Sequence, residues 1–414
     1  MVVLGIFAAA LAAYELVAAR LERAGISRPM VFVGVGAIVA ATGVIDPIGG
    51  EGPAGVLLPL AEIALTLVLF SDASRINLAW LREGYGLPVR LLGPGMLMSI
   101  GLGTVIGLWL FGELDAWECG LLAAILAPTD AALGAAVVED ERVPAQIRRS
   151  LNVEAGLNDG LAVPFVLLCA AGATVVEGFE PGSFWATTLA EKIGIGVAAG
   201  IVVGLLAGEL ARRGRRVGWA SGTSEQLALA GVAVALFVFT EELGGSGFIA
   251  AFVGGLTAGS RLRVDRKPAV AFVDEEGALV AAFVFYALGM SAAALFGDLT
   301  WEVVAYAALS LTVVRIAPVA LALVGSGLGA RTVAFVGWFG PRGLASVVLA
   351  LVVLEQDDEL SGIHTIVVAT LATVILSIVV HGFSAAPLSR RYGEWSRRLP
   401  ADAPELRDPV AGTD

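Results

Sequence analysis

Apolar residues along this chain form long unbroken runs, each closed by a short polar or glycine-rich break, and they do not alternate with polar ones. Thirteen runs can be read, at roughly residues 2–19, 29–45, 54–70, 89–110, 116–138, 152–174, 184–211, 223–240, 246–260, 270–292, 301–324, 333–354 and 362–385. Most approach the ~20 residues a helix needs to cross a bilayer. The ninth is short and glycine-rich. A transmembrane β-barrel would alternate along each strand, so it is excluded. The pattern predicts an all-α polytopic membrane protein with 13 transmembrane helices.

Two runs carry their own interruption. The fifth reads Ile125-Leu126-Ala127-Pro128-Thr129-Asp130, and the twelfth reads Gly337-Trp338-Phe339-Gly340-Pro341-Arg342-Gly343. Proline removes a backbone donor and blocks the preceding turn. The polar groups so freed persist at membrane depth only where they face protein or a watery cavity. Five and twelve differ by seven, the offset expected if spans 1–6 and 8–13 are two inverted six-helix repeats joined by span 7. Broken helices in corresponding positions of two halves point to a transporter's binding site. Asp130 and Arg342, one at each break, would balance the exposed half-helix ends.

Composition narrows the class. Of 414 residues 57% are hydrophobic and 15% charged, with a mean hydropathy of +0.85; soluble proteins are about a quarter charged. A soluble domain, a nucleic-acid binder and a disordered chain are excluded. Of the 26 basic residues, 23 fall in the loops after spans 1, 3, 5, 7, 9 and 11 or in the C-terminal tail. That bias places the N-terminus outside and the C-terminus in the cytoplasm of a multi-pass cell-membrane protein. Span 1 lacks a basic segment before it, which argues against a cleaved signal. The tail from Tyr392 reads as a frayed end. Cys119 and Cys169 form no metal or disulfide framework, and His364 and His381 are too few for a three-ligand metal site. No cofactor and no enzymatic reaction are expected.

Charges inside the spans carry the chemistry, because an ionisable group at mid-membrane costs at least ~2.5 kcal/mol. Glu15 and Glu209 lie close enough to span ends to reach the interface, Lys192 can snorkel outward, and Glu275 and Glu276 open span 10. Glu62, Asp130, Asp159, Arg315 and Arg342 remain, five charges from five spans. Counted from the predicted span ends they share one depth, about 10–14 Å below the cytoplasmic surface. In span 6, Glu154 and Asn158 are four apart on one helical face, and Asp159 is turned about 100° from Asn158. Arg315 stays charged and requires an anion. Glu154 is its expected partner, with Asp130 second.

At these residues the chain resembles the NhaP-type sodium/proton antiporters of the first cation/proton antiporter family. The resemblance rests on Asn158-Asp159 within "VEAGLNDG", the "APTD" of span 5, Arg315 of span 11 and the "GPRG" of span 12, and it covers the whole membrane region. It implies a homodimer. In each protomer spans 1–3 and 7–10 would form a dimerisation domain and spans 4–6 and 11–13 a moving core. Residues 1–390 would be the transmembrane antiporter domain and 391–414 a short cytoplasmic tail. It further implies that Asp159 and Asp130 bind Na+ (or Li+ or K+) with a Thr129 oxygen assisting. Asn158 would support the core, Glu154 would pair with Arg315, and Glu62 would serve the access path. Asn158 in place of a second Asp points to the electroneutral branch, one cation for one proton. Ala155 departs from the serine common in the family, which removes a hydroxyl from the ion's surroundings.

A mechanism follows from one carboxylate with two competing ligands. Burial makes bare Asp159 costly, so it carries either a proton or a hard cation held by carboxylate and backbone oxygens. If only the loaded form crosses, exchange is obligatory. The alternative is a sodium-coupled solute symporter of the same inverted-repeat architecture, which would need room for an organic substrate between the breaks.

Overall fold

The structure is a computed structural model that describes residues 2–23, 25–42, 54–76, 86–173, 181–219, 222–262, 266–356 and 360–407. All regular structure among the described residues is helical. The segments are α1 (Val2–Arg23), α2 (Arg28–Ala41), α3 (Ala54–Arg75) and α4 (Leu87–Leu110). Then come α5 (Ala116–Ile125), α6 (Ala131–Val138), α7 (Ala145–Ala173), α8 (Pro181–Val217), α9 (Gly222–Glu242) and α10 (Gly247–Arg261). The last are α11 (Arg266–Asp298), α12 (Trp301–Ala322), α13 (Ala330–Trp338), α14 (Leu344–Gln356) and α15 (Ile363–Ser396). Seven of the described helices are long and apolar enough to cross a membrane. The protein is an all-α polytopic membrane protein. Glu275 and Glu276 have side chains outside the described residues.

Local chemistry explains the helix ends that matter. Asp115 opens α5 with a capping box: its carboxylate accepts from the Trp117 and Glu118 N–H groups, and Glu118 accepts the Asp115 N–H in return. In α4 a single π turn spans Leu91–Gly95 around Pro94, and just before it Arg90 donates to the carbonyls of Ala322 and Val324 at the end of α12. The loop between α6 and α7 closes on Asp140, which accepts from the Arg142 guanidinium and backbone. That hydrogen-bonded arginine holds the Asp140 carboxyl below the usual carboxylate range.

Helices approach one another on small residues. Gly196, Gly200, Gly204 and Gly208 form one stripe on α8, and a Cβ at Gly200 or Gly208 would come within 2.7 Å of the Ala250 or Ala258 carbonyl on α10. The opposite side of α10 turns Gly255 and Gly259 against the Phe70 and Ser74 backbone of α3. α3 and α2 also pack on α11. α9 packs on α10 and α11 and α1 on α2, whereas α4–α7 and α12–α15 pack mainly on each other, α5 on α4 and α7, and α15 on α6, α12 and α14. α3 reaches across to α7 and α14.

The chain beyond Tyr392 is not frayed through Arg407. α15 continues to Ser396, and the segment after it brings a buried Glu405 to the start of α13. Its carboxylate accepts from the Gly329 N–H at 2.8 Å and the Thr332 hydroxyl at 3.0 Å. A helix N-terminus attracts a carboxylate, and polarity summed along the tail hid that single docked acid.

Candidate functional site

The two interruptions meet. Between α5 and α6 the chain leaves the helix over residues 128–130, and between α13 and α14 over residues 339–343. The Asp130 N–H donates to the Pro341 carbonyl at 2.8 Å, so the breaks cross backbone to backbone. One Asp130 oxygen accepts from the Leu133 N–H at 2.9 Å, capping α6. The other accepts from the Leu344 N–H at 2.8 Å, capping α14. A single carboxylate thus serves the positive ends of two half-helices. The Arg342 guanidinium, 1% exposed, serves the opposite end and donates to the Ala127 and Pro128 carbonyls at 2.6 and 2.9 Å. Ser346 donates to the Ile125 carbonyl. A Cβ at Gly343 would overlap the Asp130 carboxylate, which requires glycine there.

The twelfth-span break is braced a second time from α15. The Arg342 N–H donates to the Ser377 hydroxyl at 2.7 Å, and Ser377 meets His381 Nδ1 at 3.1 Å. His381 Nε2 lies 3.0 Å from the Trp338 carbonyl and donates to it, which assigns the tautomer in which Nδ1 accepts.

α7 carries three polar side chains used in three ways. Glu154 forms a buried ion pair with Arg315 of α12 at 2.5 Å. The Arg315 Nε and Nη2 atoms have no partner among the described residues. Asn158 donates to the Thr129 hydroxyl at 2.6 Å, tying α7 to the fifth-span break. Asp159 is buried, and its Oδ1 atom has no hydrogen-bond partner among the described residues. The carboxylates that bear on it electrostatically are Asp72 and Asp130. Asp72, on α3, packs against Gly156 one turn away on α7, where a glycine Cβ would sit 3.5 Å from the Asp72 Cβ.

Asp72 was missed by the sequence reading, which ended the third span near residue 70. α3 continues to Arg75 and carries Asp72 inward. The same error misplaced Glu62, which is not at the level of Asp159. Glu62 lines a cavity of about 320 Å³ with Val166, Leu167, Lys192, Glu241 and Ser246. Val166 is seven residues along α7 from Asp159, about 10 Å. Arg75 in place of a span end was the signal, since helical spacing runs unbroken from Glu62 to Arg75. On the other side of the site a narrow cleft of about 20 Å³ is lined by Thr129, Asp130, Asn152, Ala155, Phe339 and Pro341, room for about one water. Near the chain's surfaces Glu15 pairs with Arg28, and Glu209 with Arg212 and Arg213, as interfacial groups do.

Comparison with known proteins points one way. The chain matches the family described as "Sodium/hydrogen exchanger, transmembrane" over residues 6–391. It is 25% identical over 380 residues to the K(+)/H(+) antiporter NhaP2 of Shewanella oneidensis, covering 89% of this chain and 63% of that one. The K(+)/H(+) antiporter NhaP of Alkalimonas amylolytica is 25% identical over 350 residues, 80% of this chain and 57% of that one. The chain therefore spans about three fifths of the length of these curated relatives. In fold it superimposes on the sodium proton antiporter MjNhaP1 of Methanocaldococcus jannaschii at pH 8, with a TM-score of 0.76, 23% identity, and coverage of 95% of this chain and 99% of that one.

Proposed function

Because the chain belongs to the sodium/hydrogen exchanger family, a family of transporters and not of enzymes, we propose that it exchanges a monovalent cation for a proton across the cell membrane, with Asp159 carrying each in turn. The observation that carries this reading is the unpartnered Oδ1 of a buried aspartate beside two further carboxylates. The other acids at the crossing hold partners, Asp130 the two half-helix ends and Glu154 the Arg315 guanidinium, and the unmatched N–H groups of Arg315 and Arg342 are donors that cannot ligate a cation. A protonated Asp159 is neutral. Once deprotonated, it concentrates negative charge with Asp72 and Asp130 where a hard cation needs oxygen ligands. Thr129, held by Asn158, lies beside that volume.

Exchange is one for one and electroneutral in this reading, since Asn158 stands where a second titrating acid would add a charge. Sodium is the first cation to test. Potassium is the second, because relatives are named for it and Ala155 leaves the cleft short of one hydroxyl. α1–α3 and α8–α11 would form the dimerisation domain of a homodimer. α4–α7 and α12–α15 would form the core that moves, as two inverted repeats with the N-terminus outside and the C-terminus in the cytoplasm. The cavity at Glu62 would be one half of the access path. Solute symport, which needs an organic substrate between the breaks, is not favoured by family membership.

The test is proton flux in proteoliposomes, read with a pH-sensitive dye on addition of sodium, potassium or lithium. Cation-driven flux that disappears in Asp159→Asn and ignores membrane potential is the expected result. Full exchange by that variant, or no proton signal with any cation from folded protein, overturns the assignment.

A further inference from the structure

A second cavity, of about 390 Å³, lies apart from Asp159, where the start of α13 meets the end of α15. Two arginines, Arg331 and Arg391, stand at its rim among exposed residues. Arg331 packs over Trp395 at the outer end, Arg391 and Tyr392 follow about one turn inward with Phe335 stacked on Tyr392 at 4.0 Å, and Leu388, Trp338 and Phe339 complete the lining further in. From Arg331 to Trp338 is seven residues of helix, about 10 Å. Arginines interleaved with tyrosine and tryptophan at the outer end, giving way to an uncharged lining inward, is the gradient of a membrane boundary.

The arginines are available. Neither forms an ion pair with any described carboxylate, and Arg331 lies 5.6 Å over the Trp395 ring, which orients a guanidinium without neutralising it. An occupant must therefore offer an anionic head at the rim and an apolar body that reaches Trp338. A small free anion would leave the aromatic floor uncovered, and a neutral amphiphile would leave two cations unanswered.

We propose that this cavity is a binding site for an anionic phospholipid, its phosphate between Arg331 and Arg391 and one acyl chain against Leu388, Phe335 and Trp338. Basic pockets between transmembrane helices bind such head groups, and the arginine fork suits phosphate. The site also touches the transport machinery. Phe339 lines both this cavity and the narrow cleft at Thr129 and Asp130. The Trp338 carbonyl is the one braced by His381. A chain seated here packs on the last turn of the half-helix that ends at the crossing.

The experiment is thermal unfolding of the purified chain in neutral detergent, titrated separately with phosphatidylglycerol, phosphatidylcholine and inorganic phosphate. A ligand that binds only the folded state raises the midpoint. Phosphatidylglycerol is expected to raise it by several degrees and the other two to leave it within one degree. The shift disappears in the Arg331→Gln/Arg391→Gln variant, whose changes are at exposed positions, and survives in Arg397→Gln/Arg398→Gln, two exposed arginines off the cavity. Phosphatidylglycerol with brominated chains is expected to quench a fraction of tryptophan fluorescence that Trp338→Phe removes. An undiminished shift in the first variant, an equal shift with phosphatidylcholine, an equal shift with inorganic phosphate, or quenching unaffected by Trp338→Phe would each overturn the proposal. None of these readouts depends on ion exchange.

Discussion

Asp130 and Asp159 sit within electrostatic reach of each other and are used in opposite ways. Asp130 spends both oxygens on backbone N–H groups, one from each half-helix. Asp159, in the middle of one continuous helix and not at a helix end, keeps an oxygen with no partner among the described residues. A buried polar atom left unsatisfied costs about 1–3 kcal/mol, so such an atom persists where something other than stability selects it. Around the crossing each other charge holds at least one partner, although Arg315 and Arg342 keep N–H groups unmatched among the described residues; at Asp159 an acceptor is left with capacity for a cation.

The contrast can be broken by exchanging what the two residues lose. Asp159→Asn is expected to abolish cation-driven proton flux, more than a hundredfold, while the thermal midpoint stays within about 2 °C of wild type or rises. A collapse in stability would make Asp159 structural. Asp130→Ala reverses the pattern, losing roughly 1–4 kcal/mol, the range for two helix caps removed together, and flux with it. Folded, fully stable Asp130→Ala protein would show that the half-helix ends find other partners. Glu154→Gln is expected to cost somewhat less, with Arg315→Met in the same chain restoring part of the loss in denaturant melts; additive losses would mean the pair is not coupled.

Subtler changes sharpen the comparison. Asp72→Asn removes one carboxylate beside Asp159 without touching the crossing, and is expected to weaken apparent cation affinity about tenfold at unchanged stability. Unaltered affinity would drop Asp72 from the site. The smallest effect belongs to the α6–α7 loop. Asp140 is held below its ordinary range by Arg142, so its contribution is present above the unfolded carboxylate range and is lost as pH falls through the depressed folded value. Asp140→Asn should lower stability by under about 1 kcal/mol near neutrality, and the difference from wild type should vanish in acid. A difference that grows on acidification would reverse the sign and the assignment.

Much of this was legible in the sequence because the membrane leaves few options. Proline at 128 and 341 forces breaks, breaks free backbone groups, and the nearest charges, Asp130 and Arg342, are the ones that satisfy them. Glu154 and Arg315 followed from the rule that a buried guanidinium needs an anion. What stayed hidden depended on where helices stop. Hydropathy falls at Ser71-Asp72 although the hydrogen-bonded helix continues to Arg75, so Asp72 read as loop and Glu62 was assigned its depth. His381 and Glu405 stayed hidden for another reason: each acts on a backbone group far away in sequence, and no local pattern announces that.

The bridge built by Asp130 also has a timetable. Asp130 and Leu344 are 214 residues apart, and at about 5–20 residues per second a ribosome needs roughly 10–40 s to cover that distance. Through that interval the carboxylate caps α6 while the second N-terminus it is shaped to hold has not been made. The crossing is therefore a late event in biogenesis, closed by the second half of the chain upon a first half that has been waiting in the bilayer.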